Sequence, residues 1–272
     1  MDGKVKGNLI IIGGAEDKEN AKEILHAAAN ACGGEHGRMV ILATASQQPK
    51  ELAETYRRIF LDMGIPSVQV ADIQTRQEAD DPTHSAIIRD ATGIFFTGGD
   101  QLRITSILGG TRAEEALYEA FRGGAMVAGT SAGASVVCST MITDGLNNDT
   151  ARKCTLKMAP GLGLLEQVIV DQHFAQRGRL GRLLCGVAEN PHTLGVGIDE
   201  DTAIHVYPDS HFQVLGTNSV TVIDGSTISQ SNVSESKPDE ILAIANVTLH
   251  ILPKGYGYDL KKHTVIVPLS NA

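Results

Sequence analysis

The chain has 272 residues, enough for one large α/β domain or two small ones and enough to bury a full core without disulfide or metal staples. Hydrophobic residues make up 42% and charged residues 20%, which excludes a disordered chain. The formal net charge of −9 excludes a basic nucleic-acid groove and a polybasic membrane surface. Met1–Gly7 is polar and has no signal-type apolar run behind it, and no apolar stretch reaches the roughly 18 residues of a membrane span. These features predict a soluble cytoplasmic protein. Cys32, Cys138, Cys154 and Cys185 lie far apart with no CxxC pair, so they read as small buried hydrophobes in a reducing compartment; no metal and no cofactor are expected.

In chain order, Asn8–Ile12, Met39–Ala43, Ser67–Val70, Gly93–Thr97 and Ala125–Ala128 read as apolar strands. Between them Asp17–Asn30, Pro49–Met63, His84–Asp90, Asp100–Leu108 and Thr111–Arg122 carry helical spacing. Strands that are apolar throughout and alternate with helices predict a parallel sheet covered on both faces. A helix follows over Ala132–Thr140, and the glycine- and polar-rich stretch Thr143–Gly163 then interrupts the pattern as a lid or a surface connection. Val168–Asp171 resumes as strand, Arg179–Glu189 as helix and Leu194–Ile198 as strand. From Ala203 onward the short runs Ala203–Tyr207, Phe212–Leu215, Ser219–Asp224, Asn246–Leu252 and Thr264–Val267 are β-type, with Gly225–Glu240 as a Ser- and Glu-rich loop. The expected organisation is a single α/β domain over residues 1–272, with about 203–272 as its β-rich extension.

In a parallel sheet the loops leaving the carboxyl ends of the strands build the ligand site. One of them, Gly129-Thr130-Ser131-Ala132-Gly133, is a GxSxG between an apolar strand and a helix, the setting of a nucleophile elbow. The competing reading is a Ser N-cap on a closely packed helix, which needs the same small neighbours. Among nine histidines, His173 alone sits in a dense polar cluster after a strand, Val170-Asp171-Gln172-His173-Phe174, and is the best candidate for the base. Its orienting acid is sought in Asp199-Glu200-Asp201, three carboxylates at the end of another strand. Pattern does not choose among them. Thr97-Gly98-Gly99-Asp100-Gln101 follows a further strand and reads either as a plain left-handed turn before a helix or as the source of a Gly99 N–H that completes an oxyanion hole with that of Ala132. Arg177, Arg179 and Arg182 crowd behind His173 in an otherwise acidic chain and suit a carboxylate ligand, with a basic helix start and ordinary ion pairs as the competing reading.

The strings Ile10–Lys18 (IIIGGAEDK), Thr97–Arg103 (TGGDQLR), Gly129–Ala134 (GTSAGA), Val170–Phe174 (VDQHF) with the three arginines, and Gly197–Thr202 (GIDEDT) resemble the cyanophycinase family. These are serine peptidases related to aspartyl dipeptidase. The resemblance implies a class I glutamine amidotransferase-like (flavodoxin-like) fold, a homodimer, and Ser131, His173 and Glu200 as nucleophile, base and acid. It also implies Gln101, Asp171, Gln172, Arg177, Arg179 and Arg182 as substrate-pocket positions. The implied reaction cleaves the aspartate backbone of cyanophycin, the arginine-bearing polymer, to β-Asp-Arg dipeptides. A related dipeptidase for other Asp-containing or isoaspartyl peptides, or a non-catalytic binding protein of the same fold, are the alternatives.

Overall fold

The computed structural model describes residues 7–147, 150–153 and 156–268. Cys154 lies outside the described residues. The expected apolar runs form β1 (Leu9–Ile12), β2 (Arg38–Leu42), β3 (Ser67–Val70), β4 (Gly93–Phe96) and β5 (Met126–Thr130). These five are mutually parallel in the spatial order β1, β5, β4, β2, β3. Alternate side chains bury to opposite faces. Ile10 and Ile12 pack with α1 (Glu23–Ala31) and α2 (Pro49–Asp62). Leu9 and Ile11 pack with α4 (Pro82–Arg89), α5 (Gln101–Leu108) and α6 (Arg112–Arg122), reached after the short α3 (Arg76–Ala79). The four-residue α3 escapes helical periodicity but is closed by a capping box between Thr75 and Glu78.

The first helix begins later than its spacing suggests, at Glu23 rather than Asp17. The Asp17 carboxylate accepts the backbone N–H groups of Glu19, Asn20 and Lys22 at 2.9–3.0 Å, diverting them from a helical ladder. Those donors also hold the Asp17 carboxyl far below the usual carboxylate range.

After α7 (Ala132–Val136), β6 (Thr140–Gly145) and β7 (Leu156–Pro160) pair antiparallel, so the expected interruption contains the two arms of a hairpin. Then β8 (Val168–Gln172), α8 (Leu180–Glu189) and β9 (Leu194–Ile198) follow. β8 and β9 are parallel to one another but belong to a second sheet, of four strands. The later strands divide between the two sheets. β10 (Thr202–Val206), β11 (His211–Gly216), β16 (Gly257–Asp259) and β17 (Thr264–Ile266) extend the first sheet antiparallel beyond β1, giving nine strands. β12 (Ser219–Asp224) and β15 (Thr248–Pro253) complete the second beside β9. The loop expected at Gly225–Glu240 carries β13 (Gln230–Ser231), which pairs with β14 (Ile244–Ala245).

One apolar core joins the sheets: Leu9, Ile11 and Val127 of the first meet Val170, Val196 and Val222 of the second. α8 covers the outer face of the second sheet, where Leu183 and Val187 pack on Ile169 and Ile223. The carboxyl ends of β1, β4, β5, β8 and β9 therefore converge, and the sheets are stitched there by backbone bonds. His173 N–H donates to Gly13 C=O at 2.8 Å and Asp201 N–H to Gly14 C=O at 2.9 Å. Among the described residues no helix is long and apolar enough to cross a membrane.

Candidate active site

Ser131 occupies the tight turn from β5 into α7 at φ 54°, ψ −109°, a conformation that costs a non-glycine residue about 1–3 kcal/mol. The packing around it maintains that strain. A side chain at Gly129 would collide with the Gly133 carbonyl, and one at Gly133 with the Phe96 carbonyl, so the small residues of GxSxG are a requirement of close approach. The Ser131 side chain is not used as an N-cap, which removes the competing reading of the motif. Its hydroxyl instead donates to His173 Nε2 at 3.0 Å. His173 Nδ1 donates in turn to Glu200 Oε1 at 2.6 Å.

The imidazole is fixed from below. Gly14 stands at φ 100° directly against the ring, and any β-carbon there would overlap it. Burial pushes the His173 imidazole below its ordinary pKa, the Glu200 hydrogen bond raises it, and the charge of Arg177 lowers it further. The net direction is downward, which favours the neutral imidazole.

The three adjacent carboxylates take different work. Asp199 accepts Ala175 N–H at 3.0 Å with one oxygen and the Ser219 N–H and hydroxyl, at 3.2 and 2.9 Å, with the other. Asp201 accepts Asp17 N–H at 2.8 Å and the Thr217 hydroxyl at 2.9 Å. Only Glu200 turns to the imidazole, and its backbone is held by Gln176 Oε1 and Asn218 Nδ2. The flanking pair shape the strand end; the middle one faces the imidazole.

The arginine cluster is less open than its sequence suggests. Asp171 is buried at 1% exposure, and Arg182 grips it with Nε on Oδ2 at 2.6 Å and Nη2 on Oδ1. Arg179 Nη1 donates to Asp171 Oδ1 and Gln172 Oε1, both at 3.2 Å, and to the Gln172 carbonyl. Burial pulls the Arg179 guanidinium down to about 10, which Asp171 opposes, and it remains cationic at neutral pH. Asp171 therefore serves the protein's own arginines. Arg177 is exposed, and among the described residues its guanidinium has no side-chain partner. Gln101 Nε2 donates to the Ile142 carbonyl at 2.8 Å, and Arg179 Nε to Asn147 Oδ1 at 3.3 Å. These two pocket positions thus seat the β6–β7 hairpin beside the site.

Ala132 is the first residue of α7, so its N–H has no acceptor within the helix. Of the paired glycines after β4, Gly98 lies against Ser131: a β-carbon on it would be 3.4 Å from Ser131 Cβ. Gly99 is turned onto the Ala45 carbonyl. Sequence reasoning passed over Gly98, Asn147 and Glu16; the last is a buried carboxylate that accepts the Thr130 hydroxyl at 2.6 Å. Only the GGAEDK and TGGD strings pointed toward two of them. Among the described residues no three His, Cys, Asp or Glu side chains are grouped to hold a metal ion.

The model of peptidase family S51 matches residues 9–214, the span from β1 to β11. A cyanophycinase from Nostoc sp. is 40% identical over 262 residues, covering 96% of this chain and 88% of that protein. One from Geminocystis herdmanii is 37% identical over 260 residues, covering 95% and 96%. The crystal structure of a peptidase from an acI-B1 actinobacterium superposes with a TM-score of 0.64 at 22% identity, over 91% of this chain and 98% of that one, which speaks for the fold. The chain belongs to peptidase family S51 and is a serine-type peptidase.

Proposed function

We propose that this peptidase hydrolyses cyanophycin at its aspartate backbone and releases β-Asp-Arg dipeptides, as the names of its relatives and the motifs of the cyanophycinase family suggest. The observation that carries the reading is the continuous line of hydrogen bonds Ser131–His173–Glu200 at the meeting of the two sheets. Ser131 Oγ attacks the backbone aspartyl carbonyl while its proton passes to His173 Nε2. Glu200 holds the other ring N–H and stabilises the imidazolium. The oxyanion falls to the N–H groups of Ala132 and of the Gly98–Gly99 turn, each worth about 3 kcal/mol of barrier. His173 returns the proton to the leaving amine, and water activated by the same imidazole releases the acyl group.

Each arginyl branch of the polymer offers an α-carboxylate and a guanidinium. Arg177, exposed and close enough to depress His173, suits the carboxylate. Gln101 and Gln172 supply amide groups for the guanidinium. Arg179 and Arg182 act one step back, holding Asp171 and through it the pocket wall. The shared core of both sheets supports a single functional unit over residues 1–272 of amidotransferase-like type, with the β-rich region 203–272 part of that unit. The family resemblance adds a homodimer working in the cytoplasm, which light scattering and cell fractionation would check.

The deciding experiment incubates purified cyanophycin with wild type and Ser131→Ala and identifies the products by mass spectrometry. β-Asp-Arg from wild type alone is expected. No product from a folded protein that still reacts with a fluorophosphonate would move the substrate to other Asp-containing or isoaspartyl peptides. A folded protein that neither turns over nor labels would be a binding protein.

A further inference from the structure

The loop between β1 and α1 carries a buried carboxylate that the chemistry above leaves unused. Glu16 is 3% exposed, although Ala15 before it is exposed and Asp17 after it is half-buried. Three groups converge on it from three parts of the fold. The Thr130 hydroxyl donates to Oε2 at 2.6 Å from the end of β5. The Tyr56 phenol donates to Oε1 from α2. Lys18 brings its ammonium to 2.9 Å from Oε1 and 5.3 Å from the Tyr56 ring centroid. Burial and the adjacent carboxylate push the Tyr56 phenol well up, so it stays a proton donor. Burying a carboxylate is costly unless every partner is in place, and here both oxygens are matched.

What this carboxylate joins gives it meaning. Thr130 is bonded to Ser131, the strained residue of the elbow. The loop that carries Glu16 also gives the Gly13 carbonyl to His173 N–H, the Gly14 surface to the imidazole, and the Gly14 carbonyl to the N–H of Asp201 beside Glu200. One short loop thus meets the base and the acid through its backbone, and Glu16 is its side-chain tie to the residue before the nucleophile. We propose that Glu16 is a positioning residue for the hydrolysis, setting the approach of Ser131 Oγ to His173 through Thr130. This rests on the assignment of Ser131 and His173 given above. A carboxylate is the suitable group because two hydroxyl donors face it and Lys18 balances its charge. A glutamine would keep one acceptor and oblige one hydroxyl to turn round and accept.

The test compares wild type, Glu16→Ala, Glu16→Gln and Thr130→Val, the last removing only the hydroxyl while keeping the branched shape. kcat and KM on cyanophycin are measured beside the rate of fluorophosphonate labelling, with the labelled residue mapped. The expected result is a kcat at least tenfold lower in Glu16→Ala and Thr130→Val, KM within twofold, labelling slowed in parallel, and Glu16→Gln in between. A merely structural role would lower the melting temperature and leave the labelling rate per folded molecule unchanged. Labelling and kcat within twofold of wild type in Thr130→Val and folded Glu16→Ala would overturn the proposal. If Glu16→Ala does not fold, Thr130→Val decides alone. A label mapped away from Ser131 in wild type would remove the nucleophile assignment and this inference with it. A label on Ser131 that the variants do not slow would sink this inference by itself.

Discussion

Asp171 and Glu200 stand at the carboxyl ends of the neighbouring parallel strands β8 and β9, the first holding two basic side chains and the second one, and their surroundings are opposite. Asp171 has both oxygens engaged by two buried arginines, one of them in a forked pair. Glu200 makes one side-chain bond, to His173, and is 36% exposed. A fully paired, dry carboxylate between permanent cations has no alternative state and acts as scaffold. A carboxylate with one bond and access to water suits a partner whose charge changes, as the proposed mechanism asks of His173. The difference lies in the partner: a guanidinium keeps its proton at neutral pH, whereas an imidazole gains and loses one.

The strongest way to test that contrast is to remove the Ser131 hydroxyl that the His173–Glu200 pair faces. Ser131→Ala should lower kcat/KM by at least about 10,000-fold, abolish fluorophosphonate labelling and leave the circular dichroism spectrum unchanged. Turnover above about a hundredth of wild type would remove Ser131 as nucleophile. Next comes the locked pair. Asp171→Ala leaves two buried guanidinium groups without their counter-charge, Arg179 keeping only its Gln172 and Asn147 contacts, which costs about 3–5 kcal/mol and lowers Tm by roughly 6–20 °C. Glu200→Ala should change stability by less than about 1 kcal/mol. Thermal unfolding of the two variants side by side checks this, and equal losses would erase the distinction.

Much of this arrangement is legible in the sequence, for identifiable reasons. Strands β1, β2, β4 and β5 are apolar on both faces because both faces are covered, and that pattern survives without coordinates. β8 and β9 show the same pattern, yet periodicity says nothing about which sheet a strand joins. The elbow was visible because steric demand selects small residues at fixed offsets around Ser131. Pattern leaves the choice among Asp199, Glu200 and Asp201 open, and the family resemblance points to Glu200. The physical reason, the engagement of the two flanking carboxylates by donors from Ala175, Asp17 and Ser219, lies in distant segments that pattern does not show. The same blindness to distant partners hid the burial of Glu16, a charged residue in a polar loop, and the occupation of Asp171 by Arg179 and Arg182. Side-chain capture of backbone groups by Asp17 explains the late start of α1.

The pH profile sharpens the contrast further. Because burial lowers the His173 pKa, kcat/KM should hold level at neutral pH and fall on the acid side through an apparent pKa below 6.5. Protonation there removes the base, so the sign is loss of rate with falling pH. Glu200 raises that pKa by its hydrogen bond and charge. Glu200→Gln should therefore displace the acid limb to still lower pH while reducing the plateau by about 100-fold or more. An acid limb that moved upward in the variant would mean that Glu200 does not face the imidazole during turnover.

Arg177 belongs to neither pair, and its expected effect is the smallest. Its guanidinium is exposed and lowers His173, so Arg177→Ala has two separable consequences. Losing a carboxylate-binding cation should raise KM for cyanophycin by about tenfold with kcat nearly unchanged, since a charge-assisted contact of this kind is worth roughly 1.5–3 kcal/mol before solvent screening. Losing its charge should also shift the acid limb slightly upward, opposite in direction to Glu200→Gln. Arg177→Lys keeps the charge without the fork, so it should restore the acid limb while KM stays raised. A variant that moved the limb without touching KM would confine Arg177 to tuning the base, and the substrate carboxylate would then need another partner.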